Sequence, residues 1–135
     1  MSTLSPFAAT LNVAIGGAFG AALRYQAGRA LTGWLGASTI SVFPFATLAI
    51  NTLGSLLLGV LAAWLARHGE NGDQMRLLLG LGLLGGFTTF SAFSLEVVVM
   101  FERGQFLFAG LYAFLSVALG ITGLMVGMAI TRMFQ

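Results

Sequence analysis

The stretch Gly85-Gly86-Phe87-Thr88-Thr89-Phe90-Ser91-Ala92-Phe93-Ser94 decides how this chain is read, because it sets a glycine pair and four hydroxyls inside an otherwise apolar segment. Leu77-Leu78-Leu79-Gly80-Leu81-Gly82-Leu83-Leu84 precedes it and Val97-Val98-Val99-Met100-Phe101 follows, so the polar decad falls near the middle of a potential membrane span. Backbone that leaves helical geometry at that depth has to be buried in protein or line a cavity, since an unpaired amide in hydrocarbon costs roughly several kcal/mol. A single Ser or Thr in such a helix commonly bonds back to its own carbonyls and signifies nothing more. Thr88, Thr89, Ser91 and Ser94, interleaved with Phe90 and Phe93 and preceded by two glycines, exceed that pattern. The stretch reads as an ion or solute site in a broken helix.

The composition around it is that of a membrane protein. Of 135 residues 58% are hydrophobic and only 7% charged, whereas a soluble domain carries about 25% charged residues. Cysteine is absent, so no disulfide framework, thiolate metal site or cysteine nucleophile enters the account. The isoelectric point near 10.0 matches that of many nucleic-acid binders. All six basic residues, however, are arginines placed singly at the ends of apolar runs, where they anchor helices at a membrane interface. Lipid is the expected surrounding partner, and nucleic acid is not expected.

Four spans follow in order, over about 6–30, 43–66, 75–101 and 106–133, forming a single all-α transmembrane domain. Ser5-Pro6 reads as an N-cap followed by proline in the first helical turn. A signal peptide competes for the apolar run 7–23, but no Lys or Arg precedes it and its first charge is Arg24, so it is read as a transmembrane helix. Gly16-Gly17-Ala18-Phe19-Gly20 in that helix is a small-xxx-small spacing for close backbone approach. Residues 26–42 mix Gly, Thr, Ser and Trp34 and read as an interfacial connection. In the second span Thr47, Asn51 and Ser55 share one helix face and have to look inward. Asn51 serves there either as interhelical glue or as a neutral donor to an anion. Arg67-His68-Gly69-Glu70-Asn71-Gly72-Asp73-Gln74 reads as a solvated loop in which the solitary His68 has no assigned role. The third span is interrupted at Gly85-Gly86 and contains Glu96; Glu102-Arg103-Gly104 makes a turn. The fourth carries Gly123-xxx-Gly127 for packing and sets Tyr112, Ser116 and Gly120 on one face.

With four spans, Arg67, Arg76 and Arg132 fall on one side of the membrane and Arg24, Arg29 and Arg103 on the other. The excess of basic residues that fixes orientation is therefore missing. A balanced chain is one that can insert both ways, which makes antiparallel pairing of oppositely inserted copies a working expectation.

Catalysis finds no support: the chain lacks a Ser/His/Asp set, a carboxylate pair within one span, a His/Cys/Asp cluster and a phosphate loop. Permeation fits better. An aromatic ring carries positive potential at its edge, so Phe90 and Phe93, one turn apart, can offer edges to a small dehydrated anion, although a phenylalanine pair at this spacing is also ordinary core. A helix break further exposes carbonyls at the C-terminal end of a half-helix, where a hard cation is coordinated. Gly85 and Thr88 are the expected donors of such oxygens, and a cation on a twofold axis shared by two chains would complete its shell.

The motifs Gly16-Gly17-x-x-Gly20-x-x-x-Arg24-Tyr25, Asn51-x-x-Gly54-Ser55 and Gly85-Gly86-x-Thr88-Thr89-Phe90-Ser91-x-Phe93-Ser94 resemble those of the CrcB, or Fluc, family of small fluoride channels. The resemblance spans nearly the whole chain. It implies an antiparallel dual-topology homodimer in the bacterial inner membrane, with two fluoride pores at the interface, exporting fluoride and so limiting its toxicity. It also implies a central structural sodium ion held by backbone carbonyls of Gly85 and Thr88. Carried over position by position, Phe90 and Phe93 become pore phenylalanines, Asn51 the vestibule amide and Arg24 a vestibule residue. Tyr112 and Ser116 become part of a polar track, and Thr89 and Ser91 pore hydroxyls. Two positions depart from the pattern: Ala92 stands where threonine is most often expected, and Gly120 where a track hydroxyl would sit.

Two other readings compete with this one. A small four-helix multidrug or cation exporter needs a membrane-embedded carboxylate, usually in the first span, and here the first span has none; Glu96 is the sole candidate. A purely structural assembly subunit explains the glycines and leaves the hydroxyl and phenylalanine cluster without a purpose.

Overall fold

The structure is a computed structural model that describes residues 4–68 and 72–134. Gly69, Glu70 and Asn71 of the polar loop lie outside the described residues, as does the side chain of His68.

Helix α1 spans Pro6–Leu35. Its first turn is capped by Ser5, whose hydroxyl accepts from the Ala8 amide at 3.3 Å, and Pro6 at the start costs no hydrogen bond. The helix continues through 26–35, the segment whose mixed composition suggests a connection. At 30 residues it extends about 45 Å, longer than a hydrocarbon core of about 30 Å, so its last turns reach the interface or the helix tilts. It stops at Gly36, where φ is +86° and the amide bonds back to Thr32 O at 3.0 Å; only glycine adopts that conformation without strain. A short helix α2 (Ala37–Val42) leads to Pro44 and then to α3 (Phe45–His68).

The third apolar segment, Asp73–Glu102, begins as α4 (Asp73–Met75), widens into π-helical turns over Arg76–Leu84, and returns to α geometry in α5 (Gly85–Phe87). Thr88 (φ −81°, ψ 158°) and Thr89 (φ −150°, ψ 119°) are extended, and α6 (Phe90–Glu102) follows. The residues that leave helical geometry thus lie three positions beyond the glycine pair where the sequence suggests a break. Gly85 and Gly86 are themselves helical and serve other ends: a Cβ on Gly86 would stand 2.7 Å from Gly17 O, whereas one on Gly85 would meet only Gly80 O at 3.7 Å. A turn with Gly104 at φ +72° then leads into α7 (Phe106–Met133).

Among the described residues all regular structure is helical, and four helical segments are long and apolar enough to cross a membrane. They pack as two intimate pairs, each sealed by small residues. Against α1, the π-helical turns approach so closely that a Cβ on Gly16 would overlap Leu78 O, and one on Gly20 would overlap Leu83 O. Between α3 and α7 the same holds for Gly59 against Leu124 O and Gly127 against Leu56 O. Apolar burial gives little drive within lipid, so such close van der Waals contact is what holds helices together there. A small core of Phe43, Met100, Ala109 and Tyr112 closes the contact of α6 with α7.

Candidate functional site in the interrupted third span

The site begins with a backbone problem. Once Thr88 and Thr89 leave the helix, the Thr89 amide no longer reaches Gly85 O, its partner four residues back. Asn51, on the inward face of α3, takes over: Thr89 N donates to Asn51 Oδ1 at 2.8 Å, and Asn51 Nδ2 donates to Thr89 O at 2.9 Å. The carboxamide thus pairs with Thr89 as a neighbouring strand would. The Thr89 hydroxyl accepts from Ala92 N at 3.2 Å and caps α6 while sharing a hydrogen bond with Ser91 Oγ at 3.3 Å. Thr88 Oγ1 donates to Leu84 O at 2.9 Å and Ser94 Oγ to Phe90 O at 2.9 Å, the backbone-directed pattern common for helical hydroxyls. Thr88 O, freed from helical bonding, accepts from Arg24 Nη1 at 3.3 Å.

Two grooves meet at this interruption. One, of about 390 Å³, is bordered by Asn51, Ser55, Gly85, Thr88, Thr89 and Phe90. Five of the site residues expected from the sequence are thereby brought together. The other, of about 640 Å³, lies between α1 and α3 and is lined by Arg24, Tyr25, Arg29, Thr47, Thr89 and Ala92 among others. Its charged lining is two guanidiniums, with Arg29 stacked 5.8 Å from the Tyr25 ring centre, and no carboxylate. Thr89 borders both grooves.

The phenylalanines differ. Phe90 is 79% exposed on the chain, while Phe93 sits 5.6 Å from the Phe90 ring and 5.2 Å from that of Tyr112, packed against the small core. Tyr112 is fully buried, and its ring also meets Phe43 edge-on at 5.4 Å. Ser116, one turn further along α7, has a buried hydroxyl with no hydrogen-bond partner among the described residues. A Cβ at Gly120 would lie 3.7 Å from Ser55 Oγ, so that position faces the second span and has room for a small side chain.

The sequence offers Glu96 only as the carboxylate that a cation exporter would need; the structure sets it at the centre of a polar cluster. Tyr112 Oη donates to Glu96 Oε2 at 2.6 Å, and Thr47 Oγ1 donates to Glu96 Oε1 at 2.7 Å. An intramembrane carboxylate facing a polar helix stripe is the signal that could have found this cluster. Among the described residues no group of three or more His, Cys, Asp or Glu side chains forms a metal-binding cluster.

A family model described as CrcB-like protein, Camphor Resistance (CrcB) matches residues 11–128. The chain is 66% identical over 135 residues to a protein of Erythrobacter litoralis named fluoride-specific ion channel FluC, covering 99% of both chains. A protein of Novosphingobium aromaticivorans bearing the same name is 56% identical over 124 residues, 92% of this chain and 96% of its own. Another of that name, from Rhizobium leguminosarum bv. trifolii, is 44% identical over 122 residues, 90% of this chain and 94% of its own.

Proposed function

Because this chain belongs to the CrcB family, we propose that it is a fluoride-selective channel of the bacterial inner membrane that exports fluoride and so limits its toxicity. The observation that supports this most directly is the pair of grooves at Thr89: one carries two arginines and no carboxylate, the other gathers neutral donors beside the exposed Phe90 ring. Guanidiniums raise the local anion concentration, and neutral donors replace the water of a small, strongly hydrated anion without holding it too tightly to leave. In this reading Arg24 lines the vestibule. Phe90 and Phe93 offer ring edges, Thr89 and Ser91 offer hydroxyls, Asn51 offers its remaining amide hydrogen, and Tyr112 with Ser116 continues the polar track. The Ser116 hydroxyl, buried beside Tyr112, supplies that track with a further donor.

The channel is read as an antiparallel homodimer of oppositely inserted chains, with the extended Thr88 and Thr89 as the break in its third span. The even split of arginines supports this orientation, and the large exposed area of Phe90 supports a second chain covering the break. A structural sodium ion belongs to the same reading. Thr89 N is turned away to Asn51, which leaves Gly85 O without its helical donor, and Thr88 O also points out of the helix, toward Arg24. Main-chain oxygens of this kind suit a hard monovalent cation. Gly85 and Thr88 of two chains would hold the ion, which when bound would tie the two breaks together by electrostatic attraction.

The decisive experiment is anion efflux from liposomes holding the purified protein. Fluoride is expected to leave rapidly and chloride to stay behind; equal release of both, or of neither, overturns the proposal.

A further inference from the structure

The Asn51 carboxamide has one hydrogen left for an anion, but its geometry gives it another task. An N-cap residue already accepts an intrahelical bond through its carbonyl and satisfies a later amide through its side chain, and Thr89 does this for Ala92. Its own amide is the group left over. That amide has no helical acceptor, because extended backbone at Thr88 and Thr89 separates it from Gly85 O. Asn51 Oδ1 accepts it at 2.8 Å, while Nδ2 holds the carbonyl of the same residue at 2.9 Å, so two bonds from a side chain 38 residues away fix one peptide unit.

The residue so held is the one that both grooves share. It also starts the helix that carries Phe90, Ser91 and Phe93. Releasing Thr89 would therefore move the wall between the arginine-lined groove and the phenylalanine-lined groove, together with the first turn of α6. We propose that Asn51 is a positioning residue: by pairing with both main-chain groups of Thr89, it fixes the junction of the two grooves and the direction in which Phe90 is presented. This rests on the channel reading for its consequence in transport. The pairing itself does not.

The test follows Thr89 directly. Residue-resolved amide hydrogen exchange on the assembled protein reports whether the Thr89 amide is bonded, and fluoride and chloride efflux from liposomes report the pore. Asn51→Ala removes both bonds and is expected to speed exchange at Thr89 about tenfold, the loss of one net hydrogen bond, with a fall in the fluoride to chloride ratio as Phe90 loses its setting. Asn51→Asp keeps an acceptor for the amide and is expected to retain protection at Thr89 while its charge depresses fluoride flux. That contrast keeps the proposal testable should Asn51→Ala fail to assemble. Unchanged Thr89 exchange in Asn51→Ala, or full loss of protection in Asn51→Asp, overturns the proposal and leaves Asn51 as an anion ligand alone. If the wild-type protein carries no fluoride while Asn51→Ala still frees the Thr89 amide, the channel reading fails and the positioning role stands.

Discussion

Tyr112 Oη lies 2.6 Å from Glu96 Oε2, a donor from the fourth span meeting a carboxylate of the third. Thr47 Oγ1 donates to the other oxygen, Oε1, at 2.7 Å, so the carboxylate is held by two neutral hydroxyls from two further helices. Removing one partner leaves a part-buried acceptor short of its bond, which costs about 1–3 kcal/mol. Tyr112→Phe keeps the ring contacts with Phe43 and Phe93 and loses only that donor. It is expected to lower resistance to unfolding by about that amount in a denaturation series in detergent. Thr47→Val should lower it in the same direction, and the double variant by less than the sum, since both act on one group.

The two glycines before the break should respond oppositely. A Cβ on Gly86 would press on Gly17 O at 2.7 Å and Gly17 Cα at 3.0 Å, backbone atoms that cannot give way without separating the helices. Gly86→Ala is therefore expected to destabilise the chain by about 1–3 kcal/mol through overpacking. Gly85→Ala meets only ordinary contact at Gly80 O, in a helical conformation that alanine favours. It should fold as well as wild type, or better by up to about 1 kcal/mol. Thermal unfolding of both variants, side by side, decides the matter.

Phe90 and Phe93 should separate by assay. Replacing either ring with isoleucine keeps an apolar side chain and removes the ring edge, so Phe90→Ile and Phe93→Ile are each expected to cut fluoride efflux steeply. Phe93 also packs against Tyr112 and the core, so its variant should lose about 1 kcal/mol of stability as well, whereas Phe90, 79% exposed on the chain, should lose little. Near-normal efflux from both variants would remove the rings from the permeation path.

The cation should depend on main-chain oxygen and not on hydroxyls. Thr88→Ser keeps the carbonyl and the hydroxyl that donates to Leu84 O, so sodium content per chain, measured on protein purified in sodium and exchanged into sodium-free buffer, should match wild type. Wild-type protein that retains no monovalent cation would count decisively against the site.

Orientation should be movable by few charges, because with Arg24 drawn in to Thr88 O the arginines near span ends, Arg67, Arg76 and Arg132 against Arg29 and Arg103, differ by only one. Two lysines added to the second loop should drive insertion one way, leaving that variant inactive alone and active when expressed with a partner biased the other way. Normal fluoride flux from the biased variant alone would show that antiparallel assembly is not required.

Much of this architecture was legible in the chain because it depends on local chemistry. The four spans follow from apolar length, the start of α1 from Ser5 and Pro6, and the helix pairing from glycines spaced four apart, since each signal acts within a turn or two of its own helix. The inward direction of Thr47, Asn51 and Ser55 followed from the helical period alone. What tertiary structure decided is where those groups find partners. The composition of residues 26–35 says nothing of the helix that continues through them to Gly36. The extended residues are Thr88 and Thr89, because Gly86 stays helical in its close approach to α1 and because Asn51 is placed to take the Thr89 amide. Glu96 becomes the centre of a cluster through bonds to residues 49 positions before it and 16 after it. A residue pattern fixes which face of a helix is polar, but the partner across the gap is set by how two helices cross, and only the packed chain contains that crossing.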